Sequence, residues 1–330
     1  MSHYSVDILN TIRNEASTTY SEIVPQATQD NITAVGNAIT SYSTTQNEFV
    51  ELLGKIALTL IDSDMADNPL AIFKMGMLPY GKDIEEIHVE MAEAEGAFDP
   101  EGSNPLGRRK SEIDVIYHRE NRRDKFVVSV SDEQIKDAFT SSSGVNDLVN
   151  KMIESIHSGE AHTEYVVMKE LLAKYEDNYY NYHVPEFDTA TETQVFLRSL
   201  RKAVTDLSFM SKKYNKAGIT TRTTKDRQVL LVHKDVIAHT DVDVLAKSFN
   251  MGKTDMEPTI TVVDDFGSME DTIALLVDRR FFRVWDTLMK SERQRNSDGL
   301  FDNIFLHKWQ VLSLSLFKNA VRFTTEDEPQ

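Results

Sequence analysis

Apolar residues recur at a helical spacing in the middle of the chain. Over residues 145–175 they return every three or four positions, after a run of serines at 141–143 and a capping-box pair, Ser131 and Gln134. This spacing places the apolar side chains on one face of an α-helix. If Gly159 does not interrupt it, the pattern predicts one helix of about 33 residues, which is about 50 Å long at ~1.5 Å per residue.

Two shorter stretches alternate apolar and polar residues instead. Ile87, Val89 and Met91 are separated by polar or small residues, and the same period recurs over residues 113–117. Between the two stretches, five of the 13 glycines and 8 prolines fall within twelve residues. Alternation on both sides of a Gly- and Pro-rich segment predicts a long β-hairpin with an irregular tip.

Charge is segregated between the arms of this hairpin. The outgoing arm, residues 83–101, carries eight acidic residues and no base, whereas the return arm is basic. Either the arms pair with each other, or the hairpin lies on a neighbouring subunit, because an isolated two-stranded ribbon is marginally stable in water. The candidate inter-subunit contacts are Glu85, Glu86, Glu90, Glu93, Glu95, Arg108, Arg109, Lys110, Arg119, Arg122 and Arg123.

The N-terminal region differs in composition. Residues 1–70 contain two bases, Arg13 and Lys55, and half of residues 31–50 are Ser, Thr, Asn or Gln. Residues 5–12 fit a short amphipathic helix. We expect the rest of this region to be an arm that drapes over another surface rather than a compact domain.

Apolar runs of four residues mark the second half of the chain, and such runs are typical of strands covered on both faces. They predict a compact α/β unit with a central sheet. The predicted elements are a helix over 195–210, strands over 229–232, 260–263, 274–277 and 281–285, a helix over 236–249, and a last strand over 309–323. In the last strand Leu312, Leu314 and Leu316 alternate with Ser313 and Ser315, which predicts one polar face.

Composition restricts the possible functions. The 330 residues are 40% hydrophobic and 27% charged, which is ordinary for a globular protein. With 36 basic and 53 acidic residues the net charge is −17, which argues against holding nucleic-acid phosphates as a main task. Because the chain has no cysteine, disulfides, thiolate nucleophiles, Cys-type zinc sites and iron–sulfur clusters are excluded.

No targeting or membrane segment is predicted. The first residues lack a basic start followed by an apolar block. The longest apolar run, residues 50–61, is interrupted by polar and charged residues and falls short of the ~20 residues that a membrane span needs. We therefore expect a soluble, intracellular protein when it is made.

Three motif-like segments have ordinary explanations. Residues 265–267 spell the Asp-Phe-Gly of kinases, but the other kinase motifs are missing, so a turn after a strand is predicted. Residues 252–254 resemble the end of a phosphate loop whose first glycine is replaced by Lys247. The basic run at 118–123 could hold a phosphate, but an ion-pair cluster with the hairpin acids is favoured by the acidity of the chain.

One alternative function comes from the residues that could bind a metal, namely His233, His239, Asp241 and Asp243. The six-residue step between the histidines does not place them on one helical face, so a strand end, a surface helix start and a capping acid also explain them. No catalytic residue, metal or cofactor is predicted, and the chain is expected not to be an enzyme. A soluble metal-dependent hydrolase using these four residues, or a monomeric binding module, remains the alternative.

A larger set of residues fits no catalytic motif. It comprises residues 68–70, 73, 74, 76, 81, 84–87 and 118–123, then 241–247, 249–251, 254 and 255, and a C-terminal group at 295, 296, 299, 300, 307, 309, 310, 312, 313, 315, 317, 319–321 and 323. In these residues the chain resembles the major capsid (head) proteins of small podoviruses of the phi29 group, and through them the Hong Kong 97-type coat fold.

The resemblance implies an α+β fold of that type. The parts it implies are an N-terminal arm and lead-in over 1–75, an E-loop hairpin over 76–130, a P-domain with a long spine helix over 131–190, an A-domain with a central sheet over 191–290, and a C-terminal return to the P-domain over 291–330. The phi29 head protein also has a C-terminal immunoglobulin-like domain, whereas this chain ends at Gln330. No function of that domain is therefore expected.

For function, the resemblance implies a bacteriophage structural protein of the virion. Such a protein self-assembles in the host cytoplasm, through hexamers and pentamers, into an icosahedral or prolate shell that encloses double-stranded DNA. The implied partners are other copies of the chain, a scaffolding protein, a portal protein and other head proteins. Contact with the packaged DNA is expected to be weak and non-specific, which suits a net charge of −17.

Overall fold

The computed structural model describes residues 3–63, 68–78, 83–92, 111–140, 144–185, 190–239 and 259–325. The chain divides into two compact units. Unit 1 consists of Met1–Asn68, Arg122–Tyr165 and Leu288–Gln310, and unit 2 consists of Pro69–Asn121, Val166–Thr287 and Val311–Gln330. These units are defined by compactness, whereas the five parts expected from the resemblance are defined by position in the coat fold. The boundaries of those five parts stay a prediction.

The described residues form both helices and strands. The helices are α1 (His3–Glu15), α2 (Thr18–Ile23), α3 (Ile32–Thr40), α4 (Ser43–Ser63), α5 (Asp132–Ala138), α6 (Gly144–Ala173), α7 (Ala190–Leu207) and α8 (Lys234–His239). The strands are β1 (Lys74–Met77), β2 (Asp83–Val89), β3 (Ile113–Ser131), β4 (Tyr180–His183), β5 (Gln228–His233), β6 (Thr259–Val263), β7 (Thr272–Asp278), β8 (Phe282–Asn296), β9 (Phe301–Leu314) and β10 (Ala320–Thr324). Within these ranges, no helix combines the length and apolar character needed to cross a lipid bilayer.

The N-terminal region is a helical cluster in unit 1, which corrects the expectation of a draping arm. Helices α1 to α4 bury apolar residues such as Ile12, Tyr20 and Ile39 in one core. Phe49 of α4 packs its ring 5.6 Å from that of Phe139, which follows α5. The polar residues that suggested an extended arm instead satisfy helix ends and turns, and the predicted amphipathic helix is longer than residues 5–12.

Helix α6 confirms the predicted long helix. It runs for 30 residues, and Gly159 does not interrupt it. The capping box ahead of α5 is also present, with the Ser131 hydroxyl accepting from the Gln134 N–H and the Gln134 side chain accepting from the Ser131 N–H. These two elements could be predicted because their signals are local in the sequence.

One five-stranded sheet has the strand order β1-β8-β9-β3-β2. Strands β3, β8 and β9 contribute residues to both units, as does helix α6. Within unit 2, β2 pairs antiparallel with the start of β3, in a register that places Ile87 opposite Val115 and Val89 opposite Ile113. The predicted hairpin is therefore confirmed over its described residues, and its tip lies outside them.

A second five-stranded sheet belongs to unit 2 and has the order β4-β10-β7-β5-β6. Its strands β5 and β7 are buried almost throughout, as continuous apolar runs predict. Helix α7 covers this sheet with Phe196, Leu200 and Val204, which recur at helical spacing in the same core as Leu230 and Leu276. The predicted α/β unit is thus confirmed for its strands over 229–232, 260–263 and 274–277. The strand predicted over 281–285 is instead the start of β8 and belongs to the first sheet, which corrects that part of the prediction. Of the helix predicted over 236–249, only the part in α8 lies within the described residues.

The C-terminal segment forms two strands, which corrects the single strand predicted over 309–323. Strand β9 ends at Leu314 and β10 begins at Ala320. Ser315 is fully buried, and hydrogen bonds satisfy its polar groups: its N–H donates to the Phe281 carbonyl at 2.8 Å and its hydroxyl accepts from the Phe317 N–H at 3.3 Å. Leu316 is exposed in the intervening turn, so the alternation does not correspond to one polar face.

Candidate interaction site on the hairpin

The hairpin of β2 and β3 presents apolar side chains to solvent. Cross-strand neighbours point to the same side of a sheet, and Ile87, Val89, Ile113, Val115 and Tyr117 share one side in the observed register. Their exposed fractions are 57%, 53%, 60%, 40% and 58%. These five residues form the outer face of the hairpin. Contiguous exposed apolar surface of this kind typically marks an interaction site.

On the opposite side of the hairpin, hydrogen bonds and ion pairs attach it to other parts of unit 2. Glu86 is buried, with hydrogen bonds from His118 Nε2 at 3.1 Å and from the Arg283 guanidinium on β8. Lys318 Nζ lies 3.4 Å from the same carboxylate. On its other side, the His118 ring has Nδ1 2.5 Å from the Ser313 hydroxyl. One carboxylate on β2 is therefore connected to β3, to β8 and to the turn before β10.

The protonation of these groups follows from their surroundings. Burial by itself would raise the pKa of Glu86, but hydrogen bonds from His118, Arg283 and Ser315 outweigh burial and hold that pKa far below its usual range. Burial lowers the pKa of Lys318, and the nearby Glu86 charge opposes that effect. At neutral pH Glu86 is a buried anion surrounded by donors.

Glu90 attaches the outgoing arm to the loop that follows α7. Its carboxylate accepts from the Thr220 hydroxyl at 2.6 Å and lies 3.1 Å from Lys212 Nζ and 3.1 Å from His88 Nε2. Hydrogen bonds from Thr220, His88 and Lys212 lower the pKa of Glu90 to about 2. This predicted inter-subunit residue therefore has its partners within the same chain.

Where β2 and β3 pair with each other, the exposed charged candidates are Glu85 and Arg119. The Tyr117 hydroxyl donates to Glu85 at 3.3 Å. Arg119 lies 3.5 Å from Asp83, its partner in the strand register, with 73% and 51% of the two side chains exposed. This pair fits the interpretation in which the arms pair with each other, and both side chains also remain accessible to a neighbour.

Arg122 and Arg123 belong to the part of β3 in unit 1. Arg122 is 7% exposed, and its guanidinium donates to Gln310 Oε1 at 2.6 Å and to Asp124 Oδ2 at 2.5 Å. The Arg123 guanidinium lies 4.6 Å from the centre of the Trp309 ring, a cation–π distance. Glu86 and Arg122 are thus buried within this chain, and the part of the candidate set in inter-subunit contact stays a prediction.

The other predicted contacts belong to the hairpin tip. Glu93, Glu95, Arg108, Arg109 and Lys110 lie outside the described residues. Their part in inter-subunit contact stays a prediction.

Sequence reasoning missed a buried charged cluster in unit 1. Helix α6 places Glu160 and Glu164 one turn apart, and Lys308 of β9 forms an ion pair with Glu160 and lies 3.4 Å from Glu164. Gln310 donates to Glu164, whose other oxygen accepts from Asn68 at 3.1 Å. The (i, i+4) acids on α6 are a signal for such a cluster, but the same spacing is common on solvent-exposed helices.

The described residues give little support to the metal-binding alternative. His233 ends β5, with its Nδ1 3.3 Å from Asp235. His239 ends α8, and Asp241 and Asp243 lie outside the described ranges, as do residues 252–254. Among described residues, no group of three or more His, Asp and Glu side chains is arranged to hold a metal ion. Gly267 has a φ of 66°, and its N–H donates to Asp265 at 2.8 Å, so residues 265–267 form the predicted turn.

Comparison with known proteins gives matches over nearly the whole chain. A family model described as the Phi29-like phage major capsid protein matches residues 9–324. The major capsid protein of Bacillus phage PZA is 35% identical over 338 residues, covering 98% of this chain and 74% of that protein. The major capsid protein of Bacillus phage B103 is also 35% identical, over 336 residues and with the same coverage.

A solved structure is similar in fold. A chain from the capsid structure of Staphylococcus phage Andhra aligns with a TM-score of 0.60 and 12% identity, covering 77% of this chain and 83% of that chain. The predicted α+β fold of the Hong Kong 97 type is confirmed by this likeness.

Proposed function

The chain belongs to the Phi29-like phage major capsid protein family, and from this premise we propose that its copies associate into a shell through the outer face of the hairpin. The family predicted from the resemblance is confirmed, and the protein is a major capsid protein and a component of the phage virion. Its use of the hairpin, and the partners below, are inferences that go beyond family membership.

One observation carries the proposal: Ile87, Val89, Ile113, Val115 and Tyr117 are all at least 40% exposed on one side of a regular hairpin. Covering such side chains stabilises a complex by roughly 25 cal/mol per Å² of apolar surface removed from water. The occupant we assign is a second copy of this chain, because a shell is built from contacts between copies of its coat protein.

The hairpin is also attached to the rest of unit 2 by ion pairs at two points along its outgoing arm. Glu86 connects β2 to Arg283 and Lys318, and Glu90 connects the outgoing arm to Lys212. An interaction surface that is ordered before association loses less conformational entropy on binding. These internal ion pairs therefore support docking, because they fix the conformation of the outer face before association.

Exposed charges on the hairpin provide a second source of specificity. Glu85 and Arg119 lie beside the apolar outer face, and we extend the proposal to the tip residues Glu93, Glu95, Arg108, Arg109 and Lys110. Opposite charges of two copies would then set the register between them. Because the outer face meets a different surface of the next copy, the contact is heterologous and closes into rings, such as the proposed hexamers and pentamers.

The further partners are inferred from the same premise. A scaffolding protein, a portal protein and other head proteins are the expected protein partners, and packaged double-stranded DNA is held by weak, non-specific contact. The role is structural rather than enzymatic. The metal-dependent hydrolase has no supporting observation in the described residues.

The experiment compares shell assembly of the unmodified chain with that of the double variant Ile87→Lys/Val115→Glu. These residues are cross-strand partners, so opposite charges there keep the hairpin paired while removing its apolar character. Each chain is expressed alone and with the neighbouring genes of its phage, then examined by sedimentation and negative-stain electron microscopy. We expect shells or capsomer rings from the unmodified chain and folded, unassembled protein from the variant.

The matched control is Val127→Lys, a 46% exposed position on the unit 1 part of β3. It should assemble as the unmodified chain does. Normal shells from the hairpin variant would overturn the role of the outer face, and dispersed monomers of the unmodified chain under both conditions would overturn self-assembly itself. Neutralising Arg108, Arg109 and Lys110 tests the tip, and we expect weaker assembly of a folded monomer.

A further inference from the structure

Basic residues are concentrated in one segment of this acidic chain. Residues 198–227 contain nine lysines and arginines and two acids, whereas the whole chain has a net charge of −17. The nine bases are Arg198, Arg201, Lys202, Lys212, Lys213, Lys216, Arg222, Lys225 and Arg227. So strong a reversal of local charge indicates an anionic partner at this part of unit 2.

Helix α7 turns its bases away from the protein core. Phe196, Leu200 and Val204 are buried against the second sheet. Arg198 and Lys202 are exposed and lie four residues apart, on the opposite face of the helix.

Two tyrosines of β4 connect α7 with the loop that follows it. Lys202 Nζ lies 6.0 Å from the centre of the Tyr182 ring, and Lys213 Nζ lies 4.3 Å from that of Tyr180. The two tyrosine rings are themselves 5.3 Å apart. Lysines from two separate elements therefore lie over one aromatic pair. We define the basic face as Arg198, Lys202, Lys212, Lys213 and Lys216.

Most of the charge on this face is available to a partner. Arg198, Lys202, Lys213 and Lys216 are exposed, and no residue of the described ranges forms an ion pair with them. Lys212 is the member that pairs within the chain, with Glu90 at 3.1 Å, and it remains 62% exposed. The Asp206 carboxylate also acts on Lys213, so the face combines several solvated positive charges with acidic neighbours at Lys212 and Lys213.

We propose that the basic face binds the phosphate backbone of double-stranded DNA within the shell, an inference that rests on the proposed function. Interfaces with DNA are strongly positive, whereas lysine is depleted from protein–protein interfaces. Three of the five bases of the face, Lys212, Lys213 and Lys216, are lysines of one loop, on flexible stems that can follow a regular polyanion. An acidic protein is the competing occupant, and the experiment separates the two.

The experiment measures binding of the full chain to a short mixed-sequence DNA duplex by fluorescence anisotropy, from about 50 to about 200 mM salt. The test variant is Arg198→Gln/Lys202→Gln/Lys213→Gln. Each phosphate contact contributes about 0.9 to the slope of log affinity against log salt, so loss of three contacts should reduce the slope by about 2.7. The matched control, Lys136→Gln/Lys151→Gln/Lys174→Gln, removes the same charge from exposed lysines elsewhere and should keep the original slope.

A second variant, Lys202→Arg/Lys213→Arg, keeps the charge and should retain the original slope, which separates lost charge from disturbed packing. Equal slopes for the test and control triples, or no duplex binding by the unmodified chain at about 50 mM salt, would overturn the proposal. So would a test triple that loses shell assembly but keeps its duplex binding, because an acidic protein would then be the occupant. Electron microscopy of the same preparations reports the proposed function separately, since shells can form whether or not the basic face binds DNA.

Discussion

Glu86 on β2 and Arg283 on β8 form an ion pair whose side chains are 9% and 13% exposed. Their positions are 197 residues apart in the chain, and the sequence around Glu86 shows only another acid in an acidic arm. The pair attaches β2 to β8 within unit 2, and the outer face of the hairpin stays exposed on the opposite side. Removing one member of such a pair leaves a buried charge without compensation.

We therefore expect Glu86→Gln to destabilise the protein. The change leaves Arg283 and the largely buried Lys318 facing a neutral amide, and breaking a buried pair typically costs about 3 kcal/mol or more. Urea denaturation followed by circular dichroism measures the free energy of unfolding. The control is Glu85→Gln, the exposed neighbour on the same strand, which should change that free energy by no more than about 0.5 kcal/mol. Equal effects of the two changes would contradict the buried pair.

The free energy of unfolding should also fall in acid, because two carboxylates of the outgoing arm, Glu86 and Glu90, then become protonated. The pKa of Glu86 is far below its usual range, and that of Glu90 is about 2. Since both lie below the value of about 4.3 for glutamate in an unfolded chain, each carboxylate stabilises the folded state above that pH. The contribution disappears as the pH falls from about 4.3 toward the folded-state pKa. Urea midpoints at neutral pH and at about pH 3 should therefore differ less in Glu86→Gln than in the unmodified chain. If the urea midpoint fell by the same amount between neutral pH and about pH 3 in both proteins, the result would argue against this linkage.

Lys308 supplies the positive charge for two buried carboxylates in unit 1. Lys308→Met leaves Glu160 and Glu164 without it, and we expect a loss of about 3 kcal/mol in the free energy of unfolding. Adding Glu160→Gln to this variant should restore part of the loss, because it removes one of the uncompensated charges. The control is Lys290→Met, since Lys290 is 60% exposed and should contribute little. An additive double variant would show that the two side chains are not coupled.

Two glycines in helices should respond to alanine in opposite directions. An added Cβ at Gly36 of α3 would overlap the ring of Phe139, so Gly36→Ala should cost about 1 to 3 kcal/mol. At Gly159 of α6 the nearest atom, Phe126 Cδ1, is 3.9 Å from the new Cβ. Gly159→Ala should therefore stabilise the protein by about 0.5 to 1 kcal/mol through helix propensity. Thermal unfolding of both variants checks the pair, and a stabilising Gly36→Ala would refute the close packing of α3.

The candidate site illustrates how far sequence reasoning reaches. The alternation around Ile87 and the Gly- and Pro-rich tip were sufficient to predict the hairpin, because strand period and turn composition are local signals. The charges on it were harder to assign. Glu85 and Glu86 are adjacent acids, yet Glu85 is exposed and Glu86 is buried among donors from β3, β8 and the turn before β10. Adjacent strand residues point to opposite faces, but the neighbours of each face come from distant parts of the chain.

The sequence by itself determined the helix α6, the capping box before α5, the buried strands β5 and β7, and the family to which the chain belongs. Each depends on residues close together in the chain or on a pattern of residue identities spread along it. Only the tertiary structure decided that the N-terminal region is a helical cluster, that Ser315 is buried, and that Lys202 and Lys213 lie over the same tyrosine pair. These outcomes depend on long-range packing, which offers polar side chains partners that no local pattern specifies.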